Sequence, residues 1–167
     1  MKKNIVLCGF MGSGKSTVGR LLAEKMGMRF IDTDTYIEQK EGMTISEIFA
    51  QKGENYFRDL EASACCDLSN VHAAVISTGG GTLLKDCNVT ELKKSGIIFL
   101  LDISPETVLY RLRNDKTRPL LQREDKENAV RTMLSNRIPL YKKAADCVIN
   151  GEESPLQICF KIINLYN

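Results

Sequence analysis

The stretch that decides the fold is Asn4-Ile5-Val6-Leu7-Cys8-Gly9-Phe10-Met11-Gly12-Ser13-Gly14-Lys15-Ser16-Thr17. An apolar, β-rich run meets a glycine-rich loop, and from Lys15 a helical period runs to Met26 before Gly27 stops it. Gly9 to Ser16 fits G-x-x-x-x-G-K-[S/T] in the strand-to-helix setting that gives the pattern its mechanism. The glycines let the backbone wrap closely around phosphate groups. The N–H groups of Gly12, Ser13, Gly14, Lys15, Ser16 and Thr17 then face an anion at a helix N-terminus, Lys15 reaches the outer phosphates, and Ser16 can ligate Mg²⁺. The plainer alternative is a glycine-rich turn with no ligand. The loop alone separates neither a kinase from an ATPase nor either from a GTP switch.

Outward from this stretch, short apolar runs alternate with segments of helical period, the pattern of an α/β domain around a parallel sheet. The expected strands are Asn4 to Cys8, Arg29 to Asp32, Ala73 to Thr78, Gly96 to Asp102 and Asp146 to Asn150. They are mostly apolar, as strands covered on both faces must be. Helices are expected over Lys15 to Met26, Ile45 to Leu68 with a break at Gly53, from Pro105 behind an N-cap at Ser104, Glu124 to Lys143, and Pro155 to Leu165. No repeat, low-complexity tract or linker divides the chain, so residues 1–167 read as a single domain. Asn114 to Lys126 is the least apolar stretch and the expected mobile surface segment.

Composition narrows the classes. With 23 Lys+Arg against 21 Asp+Glu, the formal charge of +2 lacks the basic excess of a nucleic-acid binder. The 6 cysteines show no C-x-x-C spacing and His72 is the sole histidine, so a zinc site is not expected. The apolar run at Ile5 is too short for a signal-peptide core, and no stretch approaches a membrane span. Free thiols, several acting as small core hydrophobes, fit a reducing cytoplasm. The adjacent pair Cys65-Cys66 reads as buried or bystander thiols rather than a redox couple.

The second expected strand ends in Phe30-Ile31-Asp32-Thr33-Asp34. On an extended backbone two carboxylates spaced by two project to one side of the sheet. There one can hold a hydrated Mg²⁺ while its neighbour orients an attacking hydroxyl. The alternative is that Asp32 or Asp34 caps a following helix at Thr35.

Further motifs follow in order: Phe57-Arg58-Asp59-Leu60-Glu61, Gly79-Gly80-Gly81, Arg118-Pro119-Leu120-Leu121 and Asn136 to Tyr141, of the form NRxPLY. With GSGKST and DTD these make the chain resemble the shikimate kinase family over nearly its whole length. The resemblance implies a three-layer P-loop kinase fold: a central five-stranded parallel sheet flanked by helices, with a mobile lid over about residues 112–126. It implies an ATP-dependent kinase of shikimate, with Asp34, Arg58, Gly79, Gly80, Gly81 and Arg137 at the acid substrate, Glu61 beside them, and Phe49 and Phe57 lining its ring. It also implies Mg²⁺ at Ser16 and Asp32, Arg118 as the lid arginine, and Arg111 with Pro155 flanking the adenine. Asp34, Lys15 and Arg118 would be catalytic. The implied partners are ATP and shikimate, with no nucleic acid or membrane, in a monomer.

The chemistry is sound without the resemblance. Guanidinium groups such as Arg58 and Arg137 bind carboxylates bidentately, and a glycine triplet lets a substrate approach backbone amides. A lid arginine over the phosphates would exclude water and add positive charge against the transition state. Plainer readings stand beside each assignment. Arg58 lies four residues after Glu54 and three before Glu61, the spacing of a helical ion-pair cluster. Arg137 fits a solvated helix face, the triplet a strand-to-loop bend, and Phe49 and Phe57 a core. Kinases of gluconate or nucleoside monophosphates share loop, lid and sheet and are the nearest rival. A GTP switch or non-catalytic nucleotide-binding regulator is the rival of another class, though no N-K-x-D motif is present.

Overall fold

A computed structural model of the chain describes residues 2–115, 122 and 124–167. Among these lie five strands, β1 (Asn4–Cys8), β2 (Arg29–Asp32), β3 (Ala74–Ser77), β4 (Gly96–Asp102) and β5 (Cys147–Asn150). They form one sheet in the order β2-β3-β1-β4-β5, parallel at every pairing. Helices α1 (Lys15–Met26), α2 (Thr33–Glu41), α3 (Ile45–Ser69), α4 (Asp86–Lys93), α5 (Pro105–Arg111), α6 (Lys126–Ala144) and α7 (Pro155–Tyr166) complete it.

The three layers follow from strand alternation. In β1, Val6 and Cys8 point into one core with Ile76, Ile98 and Leu100, packed against Cys65 and Leu68 of α3, Leu92 of α4 and Leu134 of α6. Ile5 and Leu7 point the other way, to Val18 and Leu22 of α1 and Ile158 and Ile162 of α7. Burial on both faces explains why the central strands β1, β3 and β4 read as apolar runs rather than alternating ones. Each fully buried aliphatic side chain contributes roughly 1.5–3 kcal/mol. A smaller cluster of Ile37, Ile48, Phe57 and Ala64 holds α2 against α3.

Most expected boundaries hold within a residue or two, and the differences have local causes. β3 begins at Ala74 because Ala73 sits at φ 55°, outside extended backbone. Asp146 stands before β5, where its carboxylate accepts the Ile98 N–H at 2.8 Å. Gly53 breaks α3 at φ 83°, ψ 173°, as its glycine suggested. Ser104 caps α5 with Pro105 in its first turn, and Gly27 ends α1 at φ 61°.

Three expectations need correction. Helix α4 was not anticipated, and α2 realises the alternative in which Asp32 or Asp34 caps a helix at Thr35. Asp32 and Asp34 do not share an extended backbone: Asp32 is the N-cap of α2, accepting from the N–H groups of Asp34 (3.1 Å) and Thr35 (3.3 Å), and Asp34 is already in the first turn. The capping carboxylate turns the chain into a helix as soon as the strand ends. Helix α6 starts at Lys126, so Glu124 and Asp125 lie before it. Arg118 and residues 116–121 and 123 of the expected lid lie outside the described residues. Among those described, no helix is long and apolar enough to cross a membrane.

Candidate active site

Beyond the carboxyl ends of β1, β2 and β3, where ligands of open α/β sheets bind, three loops converge. The first is Gly9 to Gly14. At Gly9, φ is 148° and a Cβ would come 2.7 Å from the Leu101 carbonyl oxygen, so neither the backbone conformation nor the space admits a side chain. Gly14, at φ 88°, is the N-cap of α1 without a side-chain cap, which leaves the first N–H groups of that helix directed outward. Lys15 turns back over the loop, its Nζ donating to the carbonyls of Gly9 (2.8 Å) and Phe10 (3.1 Å). From α5, Arg111 donates to the Gly12 carbonyl (3.0 Å) and the Gly151 carbonyl (2.9 Å), tying the loop to the start of α7. Gly12, Gly14, Thr17, Arg111, Gly151 and Pro155 line a cleft of about 400 Å³ there, which brings together the expected nucleotide residues of the described chain apart from Lys15 and Ser16, whose side chains reach the loop carbonyls and Asp32 instead.

The second loop is the β2–α2 junction. Ser16 donates to Oδ2 of Asp32 at 3.1 Å. Two hard oxygen donors side by side next to a phosphate loop suit Mg²⁺, which takes one or two protein oxygens and leaves the rest to water and phosphate. Asp34 faces inward. Its Oδ1 is buried without a hydrogen-bond partner. Burial, then the charges of Asp32 and Glu61, push its carboxyl up to about 6.

The third loop is the glycine triplet after β3. None of Gly79, Gly80 and Gly81 has positive φ, so what requires glycine is space. A Cβ at Gly79 would lie 2.8 Å from Oδ1 of Asp34 and 3.4 Å from Oε1 of Glu61, and one at Gly81 would lie 3.0 Å from Cζ of Arg58. Thus Arg58 packs directly on the triplet, and the same position beside Gly79 is hemmed by two carboxylates. Arg58 also forms the helical ion pairs, to Glu61 at 2.6 Å and Glu54 at 3.1 Å, so the plainer reading of its spacing is realised as well. Arg137, from α6, comes 3.7 Å from a Cβ at Gly80 and stacks over Phe10 with Cζ 5.8 Å from the ring centre. Glu61 is 2% exposed, with one oxygen on Arg58 and the other on Thr82, so it supports Arg58 rather than opening to solvent. Phe57 is buried in the α2–α3 cluster, whereas Phe49 stacks on it at 4.7 Å and is 38% exposed.

Thr33, Thr82 and Tyr141 were missed. Thr33 accepts the Gly79 N–H at 2.9 Å, tying the second loop to the third, and Tyr141 donates to the Gly80 carbonyl at 2.5 Å. Each lies inside or beside a motif, Asp32 to Asp34, Gly79 to Gly81 and Asn136 to Tyr141, which is the only signal that pointed to them. The thiols take no part: burial pushes Cys8 and Cys65 up to about 12, so neither is a thiolate at neutral pH.

The arrangement can hold a triphosphate beside a small anionic alcohol, and known proteins agree. The shikimate kinase family model matches residues 11–167. The chain is 45% identical over 164 residues to a shikimate kinase of Thermodesulfovibrio yellowstonii, covering 98% of this chain and 95% of the relative. The solved structure of shikimate kinase from Acinetobacter baumannii in complex with shikimate superposes with a TM-score of 0.91 at 41% identity, covering 99% and 93% of the two chains. A gluconokinase from Sinorhizobium meliloti, at 17% identity over 98% of this chain and 91% of its own with a TM-score of 0.58, shares the fold alone. A match of this length and identity, on a chain whose loops meet around one site, means that the chain belongs to the shikimate kinase family.

Proposed function

We propose that this chain transfers the γ-phosphoryl group of ATP to a hydroxyl of shikimate, releasing shikimate 3-phosphate and ADP, with residues 1–167 acting as one monomeric kinase domain in the cytoplasm. The observation that carries the reading is the meeting of a phosphate loop, a guanidinium laid on a glycine face, and a buried carboxyl with an unpartnered oxygen. Family relatives named shikimate kinase support the choice of acceptor.

In this reading the loop amides and Lys15 grip the phosphates, the adenine lies between Arg111 and Pro155, and Arg58 and Arg137 pair with the acid's carboxylate beside Gly80 and Gly81. Phe49 and Phe57 border its ring, and Glu61 holds Arg58 in place. Ser16 and Asp32 would hold Mg²⁺, which when bound draws charge from the phosphate oxygens. Asp34 aligns the acceptor hydroxyl and takes its proton, and a carboxyl raised to about 6 is close to the poise a general base needs at neutral pH. Arg118 would add positive charge over the transferring group. Positioning and charge stabilisation do most of the work in such a transfer.

A coupled ADP-release assay under MgATP, comparing shikimate, quinate, gluconate and nucleoside monophosphates, tests this. Shikimate should give by far the highest kcat/KM. Turnover of gluconate or a nucleoside monophosphate without turnover of shikimate would sink the proposal.

A further inference from the structure

Behind the glycine triplet lies a buried polar chain that the transfer itself does not use. Glu61 is 2% exposed, and a carboxylate so enclosed needs a donor on each oxygen. One oxygen takes Nη1 of Arg58 at 2.6 Å, and the other takes the Thr82 hydroxyl at 2.6 Å. Thr82 is 1% exposed and its backbone is held at both ends. Its N–H donates to the Gly79 carbonyl at 3.2 Å, and its carbonyl accepts from the side chain of Asn88, itself 2% exposed, at 2.8 Å. The hydroxyl therefore reaches Glu61 from a fixed point, three residues beyond the start of the triplet on which Arg58 rests.

The consequence runs through geometry. Arg58 lies close against Gly81, where a Cβ would come 3.0 Å from its Cζ. Its orientation against the triplet is set by Glu61 at 2.6 Å together with the exposed Glu54 at 3.1 Å, and Glu61, the buried partner, is held by Thr82. With the hydroxyl gone, Glu61 would keep one buried oxygen without a donor. It would then turn toward another donor, and that turn loosens its hold on Arg58.

Resting on the reading that Arg58 receives the acid's carboxylate, we infer that Thr82 is a positioning residue for the acceptor: through Glu61 it presets the guanidinium that the acid must find. The side chain never meets the acid, so it acts on acceptor binding and leaves nucleotide binding alone.

The test compares Thr82→Val, which keeps the shape and loses the hydroxyl, with Thr82→Ser, which keeps the hydroxyl and loses the methyl. For Thr82→Val, KM for shikimate should rise by about 10-fold, the scale of one hydrogen bond to a charged group, with kcat at saturating shikimate within about 3-fold and KM for MgATP unchanged. Thr82→Ser should restore the shikimate KM. An unaltered KM in a folded Thr82→Val overturns the inference. So does an equal loss in both variants, or a rise in both substrates' KM, because each marks a general packing role. If the valine variant does not fold, Thr82→Ala takes its place, and failure of both with a normal serine variant also overturns it, since the hydroxyl would then serve the fold. A wild-type enzyme inactive on shikimate would refute the functional reading itself, an outcome distinct from these.

Discussion

The two halves of the site are built in opposite ways. On the nucleotide side the phosphate loop, Gly9 to Ser16, is one unbroken stretch whose main-chain N–H groups, lysine and hydroxyl are held by local geometry, with Asp32, Arg111 and Pro155 joining it from elsewhere. On the acid side, Asp34 comes from the start of α2, Arg58 and Glu61 from α3, Gly79 to Thr82 from the loop after β3, and Arg137 from α6. These are joined by contacts between distant segments, such as Thr82 to Glu61 and Tyr141 to Gly80. A contiguous loop can be read from its spacing, whereas an assembled pocket exists only after the sheet has set its pieces side by side. The first half is also comfortable for the fold, and the second holds a buried carboxyl with an unpartnered oxygen.

If the halves are separable, single substitutions should damage one and spare the other. The largest loss is expected at Asp34, the acid side's buried carboxyl. Asp34→Asn keeps size and one acceptor oxygen but loses the charge that orients and deprotonates the hydroxyl, so kcat should fall by ~10²–10⁴-fold. The lower end is favoured because phosphoryl transfer needs little proton movement before the P–O bond breaks. MgATP affinity, measured by calorimetry, should survive, and a parallel loss of nucleotide binding would mean that the halves are not separable here.

Arg58→Ala should strike only the acid side. Removing a charge-assisted partner should raise the Kd for shikimate by roughly 10- to 100-fold and leave Kd for MgATP unchanged. Normal shikimate binding would reduce Arg58 to its ion pairs with Glu54 and Glu61. Asp32→Asn probes the other half. Asparagine caps a helix as well as aspartate does, so α2 should remain, and only the partner of the cation weakens. The Mg²⁺ concentration for half-maximal rate should rise by about 10-fold or more. Rescue of Asp34→Asn by excess Mg²⁺, with no rescue of Asp32→Asn, would reverse the two roles.

What could be read in advance follows the same division. β1, β4 and α1 fall where Asn4 to Met26 and Gly96 to Asp102 place them, because runs covered on both faces and a helix stopped by Gly27 carry strong local signals, and β2 falls at Arg29 to Asp32 as expected. Helix α2, Thr33 to Glu41, was legible only in its start, as the cap alternative at Asp32 or Asp34: it buries only Thr33 and Ile37, too little to write an apolar period. Helix α4 buries only Asn88 and Leu92 and hid for the same reason. At the site, Arg58 was legible as a residue, but its seat on Gly81 was not. The hydroxyls of Thr33, Thr82 and Tyr141 were invisible because their partners lie 46, 21 and 61 residues away.

The smallest effect tests the cost of assembling the acid side. Asp34 is raised from 3.8 to about 6 in the folded protein, first by burial and then by Asp32 and Glu61, so folding favours its protonated form. That preference contributes its full stability below the unfolded value near pH 4 and is lost as pH rises through about 6. At pH 7.5 the buried charge is a burden on the fold. Asp34→Asn removes the charge while filling the same space, so the inactive variant should be more stable than the wild type, by on the order of 1–2 kcal/mol, or several degrees in Tm. The gain should shrink as pH falls below about 6 and vanish near pH 4, where the wild-type carboxyl is protonated in both states. Thermal unfolding of both proteins from pH 4 to 8, without nucleotide or acid, reads the difference directly. A variant less stable than the wild type at pH 7.5, or a gap that does not change with pH, would mean that the carboxylate is well accommodated. The two halves would then differ in how they are assembled and not in what they ask of the fold.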